Sequence, residues 1–271
     1  MVYFLSDAHL GSRVIAEPEK HQQRIVNLLQ SISKDADAIY LLGDIFDFWY
    51  EYFYHFRRNT LPRSKKQYTP IIQCLKDIHD KGIEVHYFIG NHDIWTFGLI
   101  ARLTGAVVHR QPEYAHIYGK TLYLAHGDGL IPPDLIGSLP ADFQKRVRAF
   151  IRLRKFFHHP LPQNIYRLLP PLLGDSFGYE WARRSRLKEL QHPCPYKGKD
   201  KEELVLYGKY LEEQAADNNG RHADLYVFGH RHIPVEERIT DNSEVIILGD
   251  CFKQFYYAAL SDDGTMKLQT F

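Results

Sequence analysis

The sequence is poor in sulfur, with 3 cysteines and 2 methionines among 271 residues. Cys74, Cys194 and Cys251 are odd in number and far apart, so they make neither a disulfide scaffold nor a paired-thiolate zinc site, and they suit a reducing compartment. No window approaches about eighteen uninterrupted apolar residues, which excludes a membrane-spanning helix. Asp7 and His9 interrupt the first apolar stretch, so no secretory leader is expected and the reading is cytoplasmic. An excess of one charge is missing too. With 34 Lys+Arg against 33 Asp+Glu, a protein that coats polyanions is excluded. What is present is apolar material: 44% of residues are hydrophobic and 14% aromatic, enough for one sizeable core and too much for a disordered chain.

The first half alternates strand-like and helix-like segments. Val2 to Leu5, Ala38 to Leu42 and Val85 to Ile89 read as strands. Between them, Ile25, Leu28, Leu29 and Ile32 recur at helical spacing, as do Ile71, Ile72, Leu75 and Ile78, with Pro18 near a start and Gly82 at a stop. A βαβαβ beginning implies parallel pairing with helices on the faces. Later strands, Thr121 to Ala125, Leu225 to Phe228, Val245 to Leu248, Phe255 to Leu260 and Met266 to Thr270, leave less room for crossover helices. The last two are joined by the hairpin turn Asp262-Asp263-Gly264. Two sheets packed together and flanked by helices are expected. Residues 130–200 lose the strand pattern and, from Asp142 to Leu190, hold eleven Lys or Arg against four Asp or Glu, a net of +7. They read as a helical insert between core segments 1–129 and 201–271.

Five strand-like runs end in metal-capable groups: Asp7 and His9, Asp44 and Asp47, Asn91-His92-Asp93, His126, and His230 with His232. In α/β folds, ligands bind outside the carboxyl ends of strands, so five such ends converge on one rim. Any one such residue is an ordinary cap or turn former, but five together are not explained that way. Glycine sits beside four of the clusters, at Gly43, Gly90, Gly127 and Gly229, where it permits close backbone approach. Carboxylates, one amide and four imidazoles without thiolate suit Mn, Fe, Zn or Co, and seven donors suit two ions sharing a carboxylate better than one tetrahedral zinc.

In order and spacing, D-x-H, G-D-x-x-D, G-N-H-D, H-G-D and G-H-x-H resemble the calcineurin-like metallophosphoesterases. The resemblance implies a four-layer α-β-β-α sandwich. It implies one divalent ion on Asp7, His9, Asp44 and His232, and a second on Asp44, Asn91, His126 and His230, with Asp44 bridging. Manganese is the favoured metal. A paired-ion centre polarises a phosphoryl group and lowers the pKa of water. His92 is implied to meet the phosphate or protonate the leaving group, Asp47 to orient His92, and Asp93 to fix the turn.

Within that family the chain is similar to the UDP-2,3-diacylglucosamine hydrolases of lipid A synthesis, through Asp37-Ala38-Ile39-Tyr40-Leu41-Leu42-Gly43-Asp44 and the position of the insert. The resemblance implies cleavage of a nucleotide-linked glycolipid to UMP and 2,3-diacylglucosamine 1-phosphate. The insert becomes a lid over acyl chains, and Asn91, His92, Asp134 and Ser185 become substrate contacts. Many members carry Arg after the Asn, where this chain has His92. The residues also speak for lipid. On a helix, Phe143, Val147, Phe150, Ile151 and Phe157 form a stripe interrupted by Arg154, Lys145, Arg148, Arg152 and Lys155 form a basic side, and Leu153 and Phe156 lie on the far side. Such a helix suits the anionic cytoplasmic face of an inner membrane. No protein partner is expected. A soluble phosphodiesterase or nuclease that uses the basic insert on another substrate is the alternative.

Overall fold

The computed structural model describes residues 1–52, 60–138, 141–168, 171–191, 195–217 and 220–271, with the side chains of residues 143, 171–173 and 189 excepted. Cys194 and the Phe143 side chain therefore lie outside the described residues. Strand β1 (Val2–Leu5) is followed by α1 (Pro18–Ile32), β2 (Ala38–Leu42), α2 (Thr69–Asp80), β3 (Glu84–Phe88), α3 (Leu99–Thr104) and β4 (Val107–His109). Next come the hairpin β5 (Glu113–Ile117) and β6 (Lys120–Ala125), then four helices: α4 (Pro133–Ser138), α5 (Ala141–His158), α6 (Pro160–Tyr166) and α7 (Pro171–Gln191). The chain closes with α8 (Glu203–Ala216), β7 (Leu225–Phe228), β8 (Pro234–Arg238), β9 (Glu244–Leu248), β10 (Tyr256–Leu260) and β11 (Met266–Thr270).

The alternation of side chains along each strand dictates the layers. Val2 and Phe4 of β1 join Tyr40 and Leu42 of β2, Leu122 and Leu124 of β6, and Val227, Ile246 and Leu248 in a core between two sheets. The intervening Tyr3, Leu5, Ile39 and Leu41 face the other way, onto Ile25, Leu28, Leu29 and Ile32 of α1 and Ile71, Ile72, Leu75 and Ile78 of α2. On the far side, Tyr226, Phe228, Val245 and Ile247 pack against Leu204 and Val205 of α8. The result is the four-layer α-β-β-α sandwich. One sheet has the order β11-β10-β1-β2-β3-β4, with β1 to β4 parallel and β10 and β11 antiparallel at one side. The other runs β5-β6-β7-β9-β8, parallel at its centre and antiparallel at both edges.

Strands β4, β5 and β8 were not legible in the sequence. Each is an edge strand, and β5 (EYAHI) and β8 (PVEER) are half polar because one side meets solvent. On α5, Phe150 and Phe157 of the expected stripe, with Arg154 and Leu153, line a hollow against the body of the protein, while Phe150 and Leu153 stay about half exposed. The Arg154 guanidinium, which interrupts the stripe, pairs with the buried carboxylate of Asp128.

Candidate metal centre

Parallel register carries the donors to one rim. Because Leu5 pairs with Leu41, the segments after β1 and β2 leave the sheet together and stay hydrogen-bonded, Asp7 N to Gly43 O at 3.1 Å and His9 N to Asp44 O at 3.0 Å. The backbone here is unusual. Asp7, His9, Asp44, His230 and His232 all have positive φ, between 44° and 67°, and among the described non-glycine residues only Tyr118 and Phe255 share this. Such a conformation costs on the order of 1–3 kcal/mol per residue and persists where the surroundings enforce it for a purpose.

Each key carboxylate has one oxygen tied to the main chain and one turned into the cluster. His230 N donates to Asp7 Oδ2 at 2.8 Å, and His92 N donates to Asp44 Oδ1 at 2.8 Å. Asp7 Oδ1 and Asp44 Oδ2, both buried, make no hydrogen bond among the described residues. They lie 3.1 Å from His232 Nε2 and 3.3 Å from His126 Nε2, respectively. His126 donates from Nδ1 to Leu42 O at 2.8 Å, which turns Nε2 toward Asp44 and, at 3.3 Å, Asn91 Oδ1. Burial would lower this imidazole, but the facing Asp44 carboxylate raises it well above its usual range, so Nε2 holds a proton where a cation would bind. Donor atoms of Asp7, His9 and His232 lie within 4.8 Å of one another, as do those of Asp44, His126 and His230, and those of His9, Asp44 and His92. Asp44 Oδ2 stands between the first two groups, 4.0 Å from His9 Nε2 and 3.3 Å from His126 Nε2. Orphaned, buried carboxylate oxygens facing imidazole nitrogens fit two divalent cations with Asp44 between them.

The electrostatics agree with that arrangement. Burial alone would push the Asp44 and Asp7 carboxyls up, but the facing histidines override it and hold both below the usual range. Burial also pushes His230 down to about 4. His92 is lowered to about 4, first by burial and then by the Arg186 and His9 charges, against the pull of Asp44 and Asp47. Asp93 fixes the turn as expected, accepting from Gly90 N at 2.6 Å and Ile45 N at 3.0 Å. Burial and the Asp44 charge raise it to about 6.

One side chain stands differently from expectation. Asp47 meets His92 through its main-chain carbonyl, which accepts from His92 Nδ1 at 2.7 Å. The Asp47 carboxylate faces His9 Nδ1 at 3.5 Å instead. Asp134 is exposed in the first turn of α4 and Ser185 is exposed on α7, both outside the donor groups. The inward face of α7 runs through Asp175, Tyr179, Ala182 and Arg186, and it is Arg186 that reaches the centre, with Nη2 2.8 Å from His92 Nε2. That helical spacing was available in the sequence.

Beside the centre lies an apolar cavity of about 140 Å³, walled by Phe48, Ile94, Trp95, Phe150, Leu153, Phe157, Phe177 and Trp181, with Asn91, His92, Asp128 and Arg154 at its polar end. A second apolar hollow of about 310 Å³ shares Trp95 and Phe157 with it and is bounded by Phe156, Leu161, Ile165 and Tyr166. Among the described residues no helix is long and apolar enough to cross a membrane.

Residues 1–234 match the profile of the calcineurin-like phosphoesterase family. The chain belongs to that family. It is accordingly a metal-dependent phosphoesterase with a dinuclear type of centre. Among curated proteins it is 33% identical over 97% of its length to a UDP-2,3-diacylglucosamine hydrolase of Porphyromonas gingivalis, 94% of which is covered. Proteins of the same name from Pseudomonas fluorescens (24% identical, 97% of this chain and 92% of that one) and Pseudomonas aeruginosa (26%, 97% and 96%) match along the same span.

Proposed function

We propose that the protein hydrolyses the diphosphate of UDP-2,3-diacylglucosamine, giving UMP and 2,3-diacylglucosamine 1-phosphate. The observation that carries this reading is the apolar hollow that begins at Asn91 and His92, with a second apolar hollow on the other side of the Trp95–Phe157 wall. A small soluble diester has no use for an aromatic wall beside the metal donors, whereas two acyl chains on one sugar do. Relatives bearing that name along nearly the whole chain support it.

Asp7, His9, Asp44 and His232 would hold one ion, and Asp44, Asn91, His126 and His230 the other, with manganese as first choice. When bound, such a pair supplies Lewis-acid polarisation of the phosphoryl group and an activated water. The chain's own residues do the rest. His92, its Nδ1–H committed to Asp47 O, presents Nε2 to the mouth of the centre, where the imidazolium form would donate its Nε2–H to the phosphoryl or leaving oxygen. The Asp47 carboxylate supports His9. Trp181, whose ring centroid is 5.6 Å from that of His92, and the cavity wall exclude water from the reacting end. Asp134 and Ser185, both exposed to solvent, are proposed as substrate contacts together with Asn91 and His92.

On this reading residues 130–200 form a lid inserted between core segments 1–129 and 201–271, and the lid docks on a membrane. Nine of the eleven exposed large hydrophobic residues among those described fall between Phe150 and Leu190, among them Phe156, Leu161, Ile165, Leu168 and Phe177. Arg152 and Lys155 are exposed beside them. Basic residues near an anionic surface contribute about 1 kcal/mol each, and apolar insertion adds to that. The protein would thus work as a peripheral protein on the cytoplasmic face of the inner membrane. The test is hydrolysis of the diacylated nucleotide in mixed micelles with Mn²⁺, compared with a nucleic acid and a soluble diester. UMP release that depends on the acyl chains supports the reading. Turnover of soluble phosphodiesters alone, suppressed by salt, would favour the nuclease alternative.

A further inference from the structure

Four cations lie close together on the last turns of α7: Arg183, Arg184, Arg186 and Lys188. Arg183 and Arg184 turn outward and share Glu180, with Nε to carboxylate distances of 2.9 Å and 3.0 Å. Arg186 turns inward and is buried. Its Nη2 is 2.8 Å from His92 Nε2, its Nη1 is 3.4 Å from His232 Nε2, and its Nε is 3.6 Å from Asp47 Oδ1. His232 groups with Asp7 and His9, and His92 with His9 and Asp44. The guanidinium therefore spans the mouth of the centre from one donor group to the other.

Holding α7 in place does not require this contact. The helix is already seated by Tyr52 OH on Asp175 at 2.9 Å, by Tyr179 packed on Phe48, and by the fully buried Ala182. Two imidazole nitrogens and one carboxylate oxygen at 3.6 Å engage a permanently charged, fork-shaped donor only loosely, and its geometry matches the paired oxygens of a phosphate. Charge points the same way. The carboxylates Asp7, Asp44 and Asp47 do not neutralise two divalent cations and a guanidinium, and a diphosphate brings the missing negative charge.

We infer that Arg186 is a phosphate-binding residue delivered by α7, whose guanidinium leaves the imidazoles and takes the phosphoryl oxygens of the substrate, so that an occupied site holds the α5–α7 helices down. The inference rests on the phosphoesterase chemistry of the centre and not on the lipid substrate. It predicts that phosphate binding and the order of these helices are linked through one side chain.

The test uses methylenediphosphonate, which cannot be hydrolysed at its bridge, on the Mn²⁺-loaded protein and its Arg186→Met and Arg186→Lys variants. Metal content and melting temperature should be the same in all three. Calorimetric affinity for the diphosphonate should fall about 10–100-fold in Arg186→Met, the usual effect of losing a charged hydrogen-bond partner, and several-fold in Arg186→Lys, which keeps charge but not the fork. The diphosphonate should protect residues 141–191 of the wild type from trypsin and leave the Met variant unprotected. Wild-type affinity in either variant overturns the inference, and so does loss of metal from both, which would make Arg186 a structural support. If Arg186→Met does not fold, the affinity of Arg186→Lys decides. A wild type that binds diphosphonate through Arg186 yet releases no UMP from the glycolipid would refute the substrate reading and leave this one standing.

Discussion

Gly90 offers a clean steric test of the centre, because its backbone is not in the left-handed region and a side chain there meets only crowding. A Cβ built on it would lie 2.2 Å from Asp44 Oδ1, 2.6 Å from Asp44 N and 2.8 Å from Asp44 Cγ. Main-chain atoms cannot swing away, so in Gly90→Ala the Asp44 carboxylate must retreat by about 1 Å to reach ordinary contact, with the overpacking costing about 1–3 kcal/mol of stability. That movement breaks the 2.8 Å bond from His92 N, a charged hydrogen bond contributing about 1.5–3 kcal/mol, and shifts the one oxygen placed between both donor groups. A misplacement of this size costs on the order of 10²-fold in turnover. Calorimetry, elemental metal analysis and hydrolysis of bis(p-nitrophenyl) phosphate would read the three effects. Gly137→Ala is the control, since nothing lies within 4 Å of its Cβ. A Gly90→Ala protein with two metals and near-normal turnover would show that Asp44 is not held as described.

Asp44→Ala should lose bound metal and activity together, as measured by elemental analysis and diester hydrolysis, because among the described residues no other carboxylate stands between the two donor groups. His92→Ala should keep its metal while turnover falls about 10²–10⁴-fold, the usual contribution of a positioned proton donor; metal loss would make it a ligand. Phe156 is exposed whereas Phe157 lines both hollows, so Phe156→Ser should weaken vesicle binding and Phe157→Ala should raise KM for the diacylated substrate, neither changing hydrolysis of the small diester. Chelation should lower the melting temperature, since ions present at a hundredfold excess over Kd stabilise the fold by about 2.7 kcal/mol.

The donors were legible because parallel strands buried on both faces read as plain apolar runs, so polar groups such as Asp7 and His126 stand out where each run stops. The same reasoning is blind to edge strands such as β8, where Glu236 and Glu237 sit in the ladder and the apolar pattern is lost. It also cannot tell a side chain from a main-chain contact, which is why the hydrogen bond that orients His92 was given to the Asp47 carboxylate and belongs to its carbonyl. In α5 the stripe was drawn from hydrophobicity alone, which left Arg154 as an unexplained interruption; its partner is Asp128, 26 residues earlier, a pairing that helical spacing does not reveal. Arg186 was not singled out, although Asp175, Tyr179 and Ala182 precede it at the spacing of one buried helical face.

The central claim is that this centre hydrolyses the diphosphate of an acylated UDP-sugar. The direct measurement is mass analysis of the products after incubation with UDP-2,3-diacylglucosamine, Mn²⁺ and heavy-oxygen water. The account predicts UMP and 2,3-diacylglucosamine 1-phosphate in equal amounts, with one heavy oxygen incorporated per cleavage, and no products with Asp44→Ala. No UMP from a preparation that still hydrolyses bis(p-nitrophenyl) phosphate would contradict it.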